Sequence, residues 1–236
     1  MITARDLNPS FPFAMTRATF LKTLLSGVAG AAALGGYGRW IEPSILSVSR
    51  HTIGGATASP ALRLVQISDL HLKAVGKHEE KVAERLHELA PDVLLFTGDA
   101  IDAPDNLHLL GTFLSLLPRT RHALAVLGNW EHWAQIDRKQ LEGVYGRHGT
   151  RRDHIASRVL FGDYQPQAVL SGHTHGGQVQ VLGWAPVRPP GSGRYVSGWY
   201  KESEPHLFVS RGIGTSVFPV RLGASPELPL FEWYLH

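Results

Sequence analysis

The chain has 236 residues, enough for one large folded domain, and its 43% hydrophobic and 18% charged residues argue against wholesale disorder. It contains no cysteine, which excludes disulfides, thiolate nucleophiles and cysteine-ligated zinc or iron–sulfur sites. The formal net charge is only +3 and no run of basic residues forms a stripe, so we expect no nucleic-acid partner.

The N-terminal residues differ in composition from the rest of the chain. Arg17 and Lys22 precede an uncharged run of small and apolar residues at 24–34. A helix that crosses a bilayer needs roughly 20 apolar residues, so this run fits the core of an export signal better than a stable anchor. We therefore interpret residues 1–36 as a leader, with 15–36 as its signal-like part. An amphipathic or core helix is the alternative interpretation. The leader predicts that the protein is exported and is either periplasmic or associated with the cell membrane. It also suggests contact with a membrane surface.

Residues 37–60 contain several glycines and prolines and are predicted to be a linker into a domain at 61–236. In that domain, short apolar runs alternate with runs of helical periodicity. Strands are predicted at 62–67, 93–97, 123–127 and 168–170, and helices at about 77–90, 106–117 and 135–147. This alternation predicts an α/β architecture with ligand-binding residues at the carboxyl ends of the strands.

Two of these strands are followed by pairs of residues that suit metal binding. Asp69 and His71 follow the first strand, and His173 and His175 follow the last. In an extended chain, residues i and i+2 project to the same side, so each pair can close on one ion. A single Asp-x-His has many ordinary explanations, whereas two histidines flanked by glycines have little purpose in core packing.

The two middle strands end in Gly-Asp and Gly-Asn. The carboxylate of Asp99 can bridge two ions, and the amide oxygen of Asn129 is a neutral ligand. A glycine before each lets the chain turn sharply. Either dipeptide alone is a common turn. All four motifs in this order favour a metal site, and mixed His, Asp and Asn ligation suits Mn, Fe or Zn better than Ca.

The order Asp-x-His, Gly-Asp-x-x-Asp, Gly-Asn, Gly-His-Thr-His resembles the calcineurin-like metallophosphoesterase superfamily, and within it an exported or membrane-attached bacterial branch. The resemblance runs from about residue 60 to the C-terminus. It implies an α/β (α+β) fold, a two-sheet β-sandwich flanked by helices, with a dinuclear metal site at one end. The interval between His132 and His173 is shorter than is usual in relatives, which predicts a shortened second sheet.

The resemblance also implies a set of ligands for two divalent metal ions. The first ion would be held by Asp69, His71, Asp99 and His175, and the second by Asp99, Asn129, His154 and His173. His154 is chosen because it lies in what remains of the family's histidine segment. Asp102, which completes Gly-Asp-x-x-Asp, is expected to orient a metal-binding histidine rather than to bind metal.

One position departs from the family pattern in a way that affects the chemistry. The family usually places a histidine after the asparagine, where it protonates the leaving group, and here that residue is Trp130. His132 is the nearest candidate for this role; the alternative is that it only begins the next helix. Trp184, Trp199 and Trp233 are expected in the core of the sandwich, whereas Trp130 and Trp133 could line an apolar groove beside the metals.

The predicted function is metal-dependent hydrolysis of phosphate esters, as a phosphodiesterase-like enzyme in which Asp99 and His132 take part in catalysis. The resemblance implies that two metal ions hold and activate a bridging hydroxide. A leader and exposed tryptophans suggest a lipid-linked substrate. One alternative is a pyrophosphatase of UDP-linked acyl-sugar lipid precursors. Another is a non-catalytic relative that binds metal or a phospholipid head group.

Overall fold

The structure is a computed structural model that describes residues 16–55, 61–147, 151–152, 166, 168–202 and 204–234. The helices are α1 Arg17–Gly36, α2 Lys77–Leu89, α3 Leu107–Leu116, α4 Asn129–Trp133 and α5 Arg138–Arg147. The strands are β1 Ser47–Ile53, β2 Leu62–Ile67, β3 Val93–Thr97, β4 His122–Val126, β5 Arg151–Arg152, β6 Ala168–Ser171, β7 Gly198–Tyr200, β8 His206–Val209 and β9 Glu227–Trp233.

The strands form two sheets. The larger sheet has six strands in the order β1-β9-β2-β3-β4-β5, and the smaller has three in the order β6-β8-β7. In the larger sheet β2, β3 and β4 are parallel, whereas β9 runs antiparallel to β2. The carboxyl ends of parallel strands lie at the same edge of a sheet, so the segments that follow β2, β3 and β4 are neighbours.

Alternating residues of the central strands face two different layers. Val65, Ile67 and Phe96 pack with buried side chains of α2, α3 and α5 on one face of the larger sheet. Leu64 and Val93 point to the other face, where they form a second core with Phe208 and Phe231 between the two sheets. The helix–sheet–sheet arrangement confirms the predicted two-sheet fold flanked by helices. The described part of the smaller sheet has three strands.

The interpretation of residues 37–60 as a linker is wrong for much of that segment. Residues 47–53 form β1, which pairs in parallel with β9 along its whole length. Two of the residues that suggested a linker belong to the boundaries of elements: Pro43 lies in a 3₁₀ turn over Glu42–Ser44, and Gly54 follows β1 with a φ of 82°. β1 is an edge strand with a mixed burial pattern, and its partner becomes evident only when the C-terminal strand is in place.

The helix at the N-terminus is longer than its apolar run suggested. Residues Arg17–Ser44 form one helical stretch that is long and apolar enough to cross a membrane, by length and composition, and a signal sequence meets the same criterion. Its C-terminal end is attached to the domain. The backbone N–H of Arg221 donates to Gly38 O (2.9 Å), and the buried carboxylate of Glu42 accepts hydrogen bonds from the backbone N–H groups of Gly223 and Ala224 (3.0 and 2.8 Å).

Candidate metal centre

The segments after β2 and β3 run side by side beyond the ends of their strands. The N–H of Asp69 donates to Gly98 O (3.1 Å), and that of His71 donates to Asp99 O (3.0 Å). The pairing of two parallel strands therefore continues through the residues that were predicted to bind metal. This continuation fixes Asp69, His71 and Asp99 relative to one another through backbone contacts.

Three predicted ligands form one compact, buried cluster. The ligand atoms of Asp69, His71 and His175 all lie within 4.8 Å of one another. His71 Nε2 lies 2.9 Å from His175 Nε2, which lies 3.7 Å from Asp69 Oδ1. Each of the three residues is at most 3% exposed. Histidine and carboxylate ligands at this spacing can hold one divalent ion.

The outer ring nitrogens of both histidines have partners of their own. Nδ1 of His71 contacts the carboxylate of Asp102, as the sequence predicted for that aspartate. Nδ1 of His175 lies 3.3 Å from Nη2 of the Arg221 guanidinium. The Nε2 atoms of the two rings therefore face each other, beside the carboxylate of Asp69. Two imidazole nitrogens and a carboxylate that converge in this way form a donor set that fits a metal ion.

The electrostatics of the cluster also fit a cation. Burial and the neighbouring Asp69 carboxylate raise the pKa of Asp99 to about 7. Burial raises the pKa of Asp69 as well, and burial together with His71 holds the pKa of His175 well below its usual range. Two carboxylates buried close together disfavour each other's ionised form. A divalent cation would compensate their negative charge and keep both ionised.

The backbone at the site is strained. Of the six ligands predicted in the described part of the chain, five have positive φ angles: Asp69 (52°), His71 (46°), Asp99 (54°), His173 (77°) and His175 (51°). Side chains other than glycine rarely adopt this conformation, and each instance costs on the order of 1–3 kcal/mol. Such strain persists where the surrounding structure over-determines it, and it commonly clusters at functional sites.

Two glycines allow the loops to approach the carboxylates. A Cβ on Gly172 would lie 1.9 Å from Ser68 Oγ and 2.2 Å from Asp69 Oδ2. A Cβ on Gly128 would lie 2.1 Å from Asp99 Oδ1. The glycines before Asn129 and His173 therefore serve close packing against the carboxylates of neighbouring loops, whereas the sequence had suggested only sharp turns.

Glu131, which is not among the predicted site residues, is a buried residue that joins two of the loops. Its carboxylate accepts hydrogen bonds from the N–H groups of Gly128 (2.8 Å), Asp99 (3.1 Å) and Ala100 (2.6 Å). A glutamate at the third position of a helix that begins after Gly128 has the spacing of a capping box. That spacing could have revealed its bond to the Gly128 N–H from the sequence. The bonds to the loop after β3 follow only from the fold.

Arg221 is the second residue that sequence reasoning missed. Its side chain is 0% exposed, and its guanidinium donates to the carbonyls of Gly214 (2.5 Å), Arg211 (2.9 Å) and Ala224 (2.6 Å). Burial lowers its pKa to about 10, so it stays charged near neutral pH. Arg221 therefore holds the segment that packs against His175. Its surroundings in the sequence carry no motif that would have identified it.

Asn129 and His173 lie at a more open side of the site. Asn129 begins α4, and its buried side-chain Nδ2 has no hydrogen-bond partner. Because the nitrogen and oxygen of an amide are assigned by their partners, the amide oxygen can occupy that position and face a metal. The N–H of His173 donates to Asp69 Oδ1 (2.8 Å), while its partly buried ring has Nε2 3.4 Å from Pro190 O.

Both residues line a groove of about 290 Å³ whose walls are mostly apolar. Trp130 and Trp133 form one wall, with ring centroids 5.7 Å apart, and the ring of Trp130 stands perpendicular to that of His71 at 5.5 Å. The groove expected beside the metals is thus present. His132 is exposed on α4 and is not among the residues that line the groove, and His154 lies outside the described residues.

Comparison with known proteins agrees with this geometry. Residues 62–156 match the model of the calcineurin-like phosphoesterase family. The metallophosphoesterase YkuE of Bacillus subtilis, itself uncharacterized, is 29% identical over 92% of this chain and 97% of its own length. The chain is similar to the calcineurin-like metallophosphoesterase superfamily, over residues 62–156 for the family model and over most of its length for YkuE. It is therefore a hydrolase that acts on phosphoric esters, and the family implies divalent metal ions at the cluster of Asp69, His71 and His175.

Two further proteins match over shorter stretches. Phosphodiesterase YaeI of Escherichia coli is 38% identical over 32% of this chain and 28% of its own length. UDP-2,3-diacylglucosamine pyrophosphatase LpxG of Chlamydia trachomatis is 32% identical over 42% of this chain and 32% of its own length. The alignment with YkuE spans 277 positions, more than the 236 residues here, so that relative contains stretches with no counterpart in this chain. No solved structure matches the chain.

Proposed function

We propose that this metallophosphoesterase hydrolyses phosphodiesters with a dinuclear divalent-metal centre. Asp69, His71, Asp99 and His175 would hold one ion, and Asp99, Asn129, His154 and His173 the second. The observation that supports this most directly is the buried group of two imidazole nitrogens and a carboxylate, beside a second carboxylate, Asp99, whose pKa is raised to about 7 by burial and by Asp69. Divalent ions bound here would lower the pKa of a water molecule and neutralise charge that develops on the phosphoryl oxygens.

The chain's own residues set the positions of the reacting groups. Asp99 accepts a hydrogen bond from the Trp130 N–H (2.9 Å) through Oδ1, which orients its carboxylate. The N–H of His173 does the same for Asp69. These bonds orient both carboxylates before substrate binds, so no free energy is spent on reorienting them during the reaction.

Apart from the proposed metal ligands, the described residues that line the groove include no histidine or carboxylic acid that could protonate the leaving group. Trp130 stands at the position where the family usually has histidine, and an indole cannot transfer a proton. His132 stays our candidate for this role, although in this structure its exposed side chain lies outside the groove lining. We propose that substrates with good leaving groups, which need no proton donor, are hydrolysed fastest.

The groove suggests an amphiphilic substrate. Its lining includes the apolar side chains of Val187, Val217 and Phe218, and one cationic side chain among the described residues, Arg188. An apolar wall suits an acyl or isoprenoid chain, and a guanidinium suits a phosphate. We therefore propose a lipid-linked phosphate ester. The N-terminal helix supports a location at or beyond the cell membrane, as an exported or membrane-attached protein.

The pyrophosphate bond of a UDP-linked diacyl sugar is a second candidate. It is favoured by the similarity to LpxG, which is named for that substrate, and by a groove that offers both an apolar wall and a cation. Cleavage of a UDP-linked acyl sugar without cleavage of a simple aryl diester would favour this candidate over a general phosphodiesterase.

Metal content and turnover of an aryl phosphodiester, measured together on the whole chain, test the dinuclear centre. We expect about two metal ions per wild-type chain after loading with Mn²⁺. Asp99→Asn should lower both metal content and turnover, the latter at least about 100-fold, because Asp99 would bind both ions. Asp105→Asn, an exposed aspartate near the start of α3, is the matched control.

The same assay tests His154. His154→Ala should lose about one metal ion per chain together with turnover, whereas His122→Ala, an exposed histidine at the start of β4, should retain both. Unchanged turnover and metal content in His154→Ala would remove that residue from the site. A wild-type chain with at most one ion and undiminished activity would contradict the dinuclear centre.

A further inference from the structure

Two exposed apolar residues have backbone conformations that disfavour them. Leu182 is fully exposed with a φ of 52°, and Val217 is 70% exposed with a φ of 31°. Glycine or asparagine suits positive φ far better, and for a β-branched valine this conformation is a genuine outlier. Exposure to water adds a second unfavourable contribution. Neither the packing nor the backbone of the folded domain explains why these positions hold leucine and valine.

The loops that carry these residues lie side by side. Gln178 connects them: its Nε2 donates to Phe218 O (3.1 Å), and its Oε1 accepts from the Ser216 N–H (2.7 Å). The turn at 181–184 is closed by backbone bonds between Val181 and Trp184, and the neighbouring Gln180 N–H donates to Leu222 O (2.6 Å). The two loops therefore form one surface.

That surface has four large apolar side chains that water reaches. We call Leu182, Trp184, Val217 and Phe218 the apolar rim; Trp184 is 66% exposed and Phe218 69% exposed. The expectation that Trp184 belongs to the core is thus wrong, because it stands at the end of an exposed turn. Val217 and Phe218 also line the groove beside the metal cluster. The rim is thus continuous with the apolar wall of the proposed substrate site.

The rim is also joined to the N-terminal helix. The loop that contains Val217 and Phe218 continues to Arg221, whose N–H donates to Gly38 O, and to Gly223, whose N–H donates to the Glu42 carboxylate. Trp40 and Ile41 are exposed at the same end of the helix. An apolar helix long enough to cross a membrane is therefore attached directly to the segment that carries half of the rim.

We propose that the apolar rim inserts into the surface of a lipid bilayer to which the N-terminal helix attaches the protein, so that the metal-site groove opens at the membrane interface. Burial of exposed apolar side chains at the boundary between lipid head groups and acyl chains lowers the free energy of the system. The role of the groove in this arrangement rests on the proposed function, because an amphiphilic phosphate ester would then enter directly from the membrane.

The absence of cysteine allows a direct test on the whole chain. The single cysteine of a Leu182→Cys variant would carry a bimane fluorophore, and the protein would be placed in phosphatidylethanolamine–phosphatidylglycerol vesicles that contain doxyl-labelled lipid. The control is Arg121→Cys, which is exposed beside the amino end of β4, at the opposite edge of the sheet from the metal loops. We expect lipid-borne doxyl to quench the label at position 182 at least about twofold more than the label at position 121.

Two outcomes would overturn the proposal. Equal quenching at the two positions would show that the rim does not contact lipid. Equal quenching, accompanied by disulfide cross-links between chains of the unlabelled Leu182→Cys variant, would assign the rim to a second copy of this chain instead. Neither readout requires the enzyme to be active, so the failure of this proposal is distinguishable from the failure of the proposed function.

A second variant links the rim to substrate entry. Leu182→Asn suits the positive φ, so folding should not suffer, and Leu182 is not among the groove-lining residues. We expect wild-type turnover of a soluble aryl phosphodiester and a several-fold lower turnover of an amphiphilic phosphodiester embedded in the same vesicles. An equal effect on both substrates, or none on either, would contradict entry from the membrane.

Discussion

The two sides of the metal site are built differently. Asp69, His71 and His175 are buried, and their positions are fixed by backbone bonds between neighbouring loops and by partners on the outer ring nitrogens. Asn129 and His173 stand instead at the wall of an open groove, with an unpartnered amide nitrogen on the first and a partly exposed ring on the second.

The buried side positions ligand atoms, whereas the open side also faces the groove in which a substrate would bind. The buried side can hold residues in strained backbone conformations, because hydrogen bonds between the backbones of neighbouring loops fix their positions. The open side is made by the segments after β4 and β6, whose side chains also face the groove. We therefore expect substitutions on the buried side to remove metal and activity together. Substitutions of groove residues that are not proposed as metal ligands should change substrate preference instead.

Gly172→Ala should have the largest effect. The new Cβ would overlap Ser68 Oγ and the Asp69 carboxylate, which would have to move. We expect loss of metal and a fall in aryl-diester turnover of at least about 100-fold, measured by elemental analysis and kinetics. Gly146→Ala, in α5 and with open space around it, is the control and should leave activity unchanged. Full metal content in Gly172→Ala would show that the buried side is less rigid than its packing indicates.

Glu131→Gln tests the bonds between loops on the buried side. The variant replaces one carboxylate oxygen by an NH₂ group that faces backbone N–H donors. We expect the free energy of unfolding, measured in urea, to fall by about 2 kcal/mol. Glu88→Gln removes only an exposed ion pair with Arg85 and should change it by less than about 0.5 kcal/mol. Similar losses in the two variants would contradict the role given to Glu131.

Trp130→His tests whether a proton donor can be added to the groove wall on the open side. It restores the residue that the family usually has and should supply a proton donor, which helps poor leaving groups most. We expect the ratio of alkyl- to aryl-diester turnover to rise at least about tenfold. Trp133→His makes the same change in the same groove wall, farther from His71, and should leave the ratio unchanged. An unchanged ratio in Trp130→His would mean that a proton donor is already present.

Arg188→Ala should have the smallest effect. Arg188 lines the groove, and one of its N–H groups donates to Gly193 O, which leaves others for a phosphate. Because the side chain is exposed, we expect only about a fivefold rise in KM for the diester, with little change in kcat. Arg119→Ala, exposed between α3 and β4, is the control. A fall in kcat without a change in KM would place Arg188 in the chemical step instead of in binding.

The sequence predicted well those features whose causes are local. The strands that became β2, β3, β4 and β6 follow from short apolar runs, and the predicted metal-binding motifs stand directly after them. Parallel strands place those ends together, so the encounter of Asp69 with Asp99 could be foreseen. The contact between His71 and Asp102 could be foreseen from motif spacing within the family.

Other features depend on residues distant in the chain. β1 becomes a strand only because β9, far along the sequence, offers it an edge. Arg221 is recognisable only when the carbonyls of Gly214 and Ala224 surround it. No pattern within a few residues of either feature encodes the partner that it needs.

By itself, then, the sequence determined which residues could bind metal and on which strands they stand, because periodicity and turn chemistry act over a few residues. The tertiary structure alone decided that three of them converge in a buried cluster, that Glu131 and Arg221 hold their loops, and that Trp184 faces solvent. Burial and charge compensation are properties of groups brought together in space, and separation along the chain does not determine them.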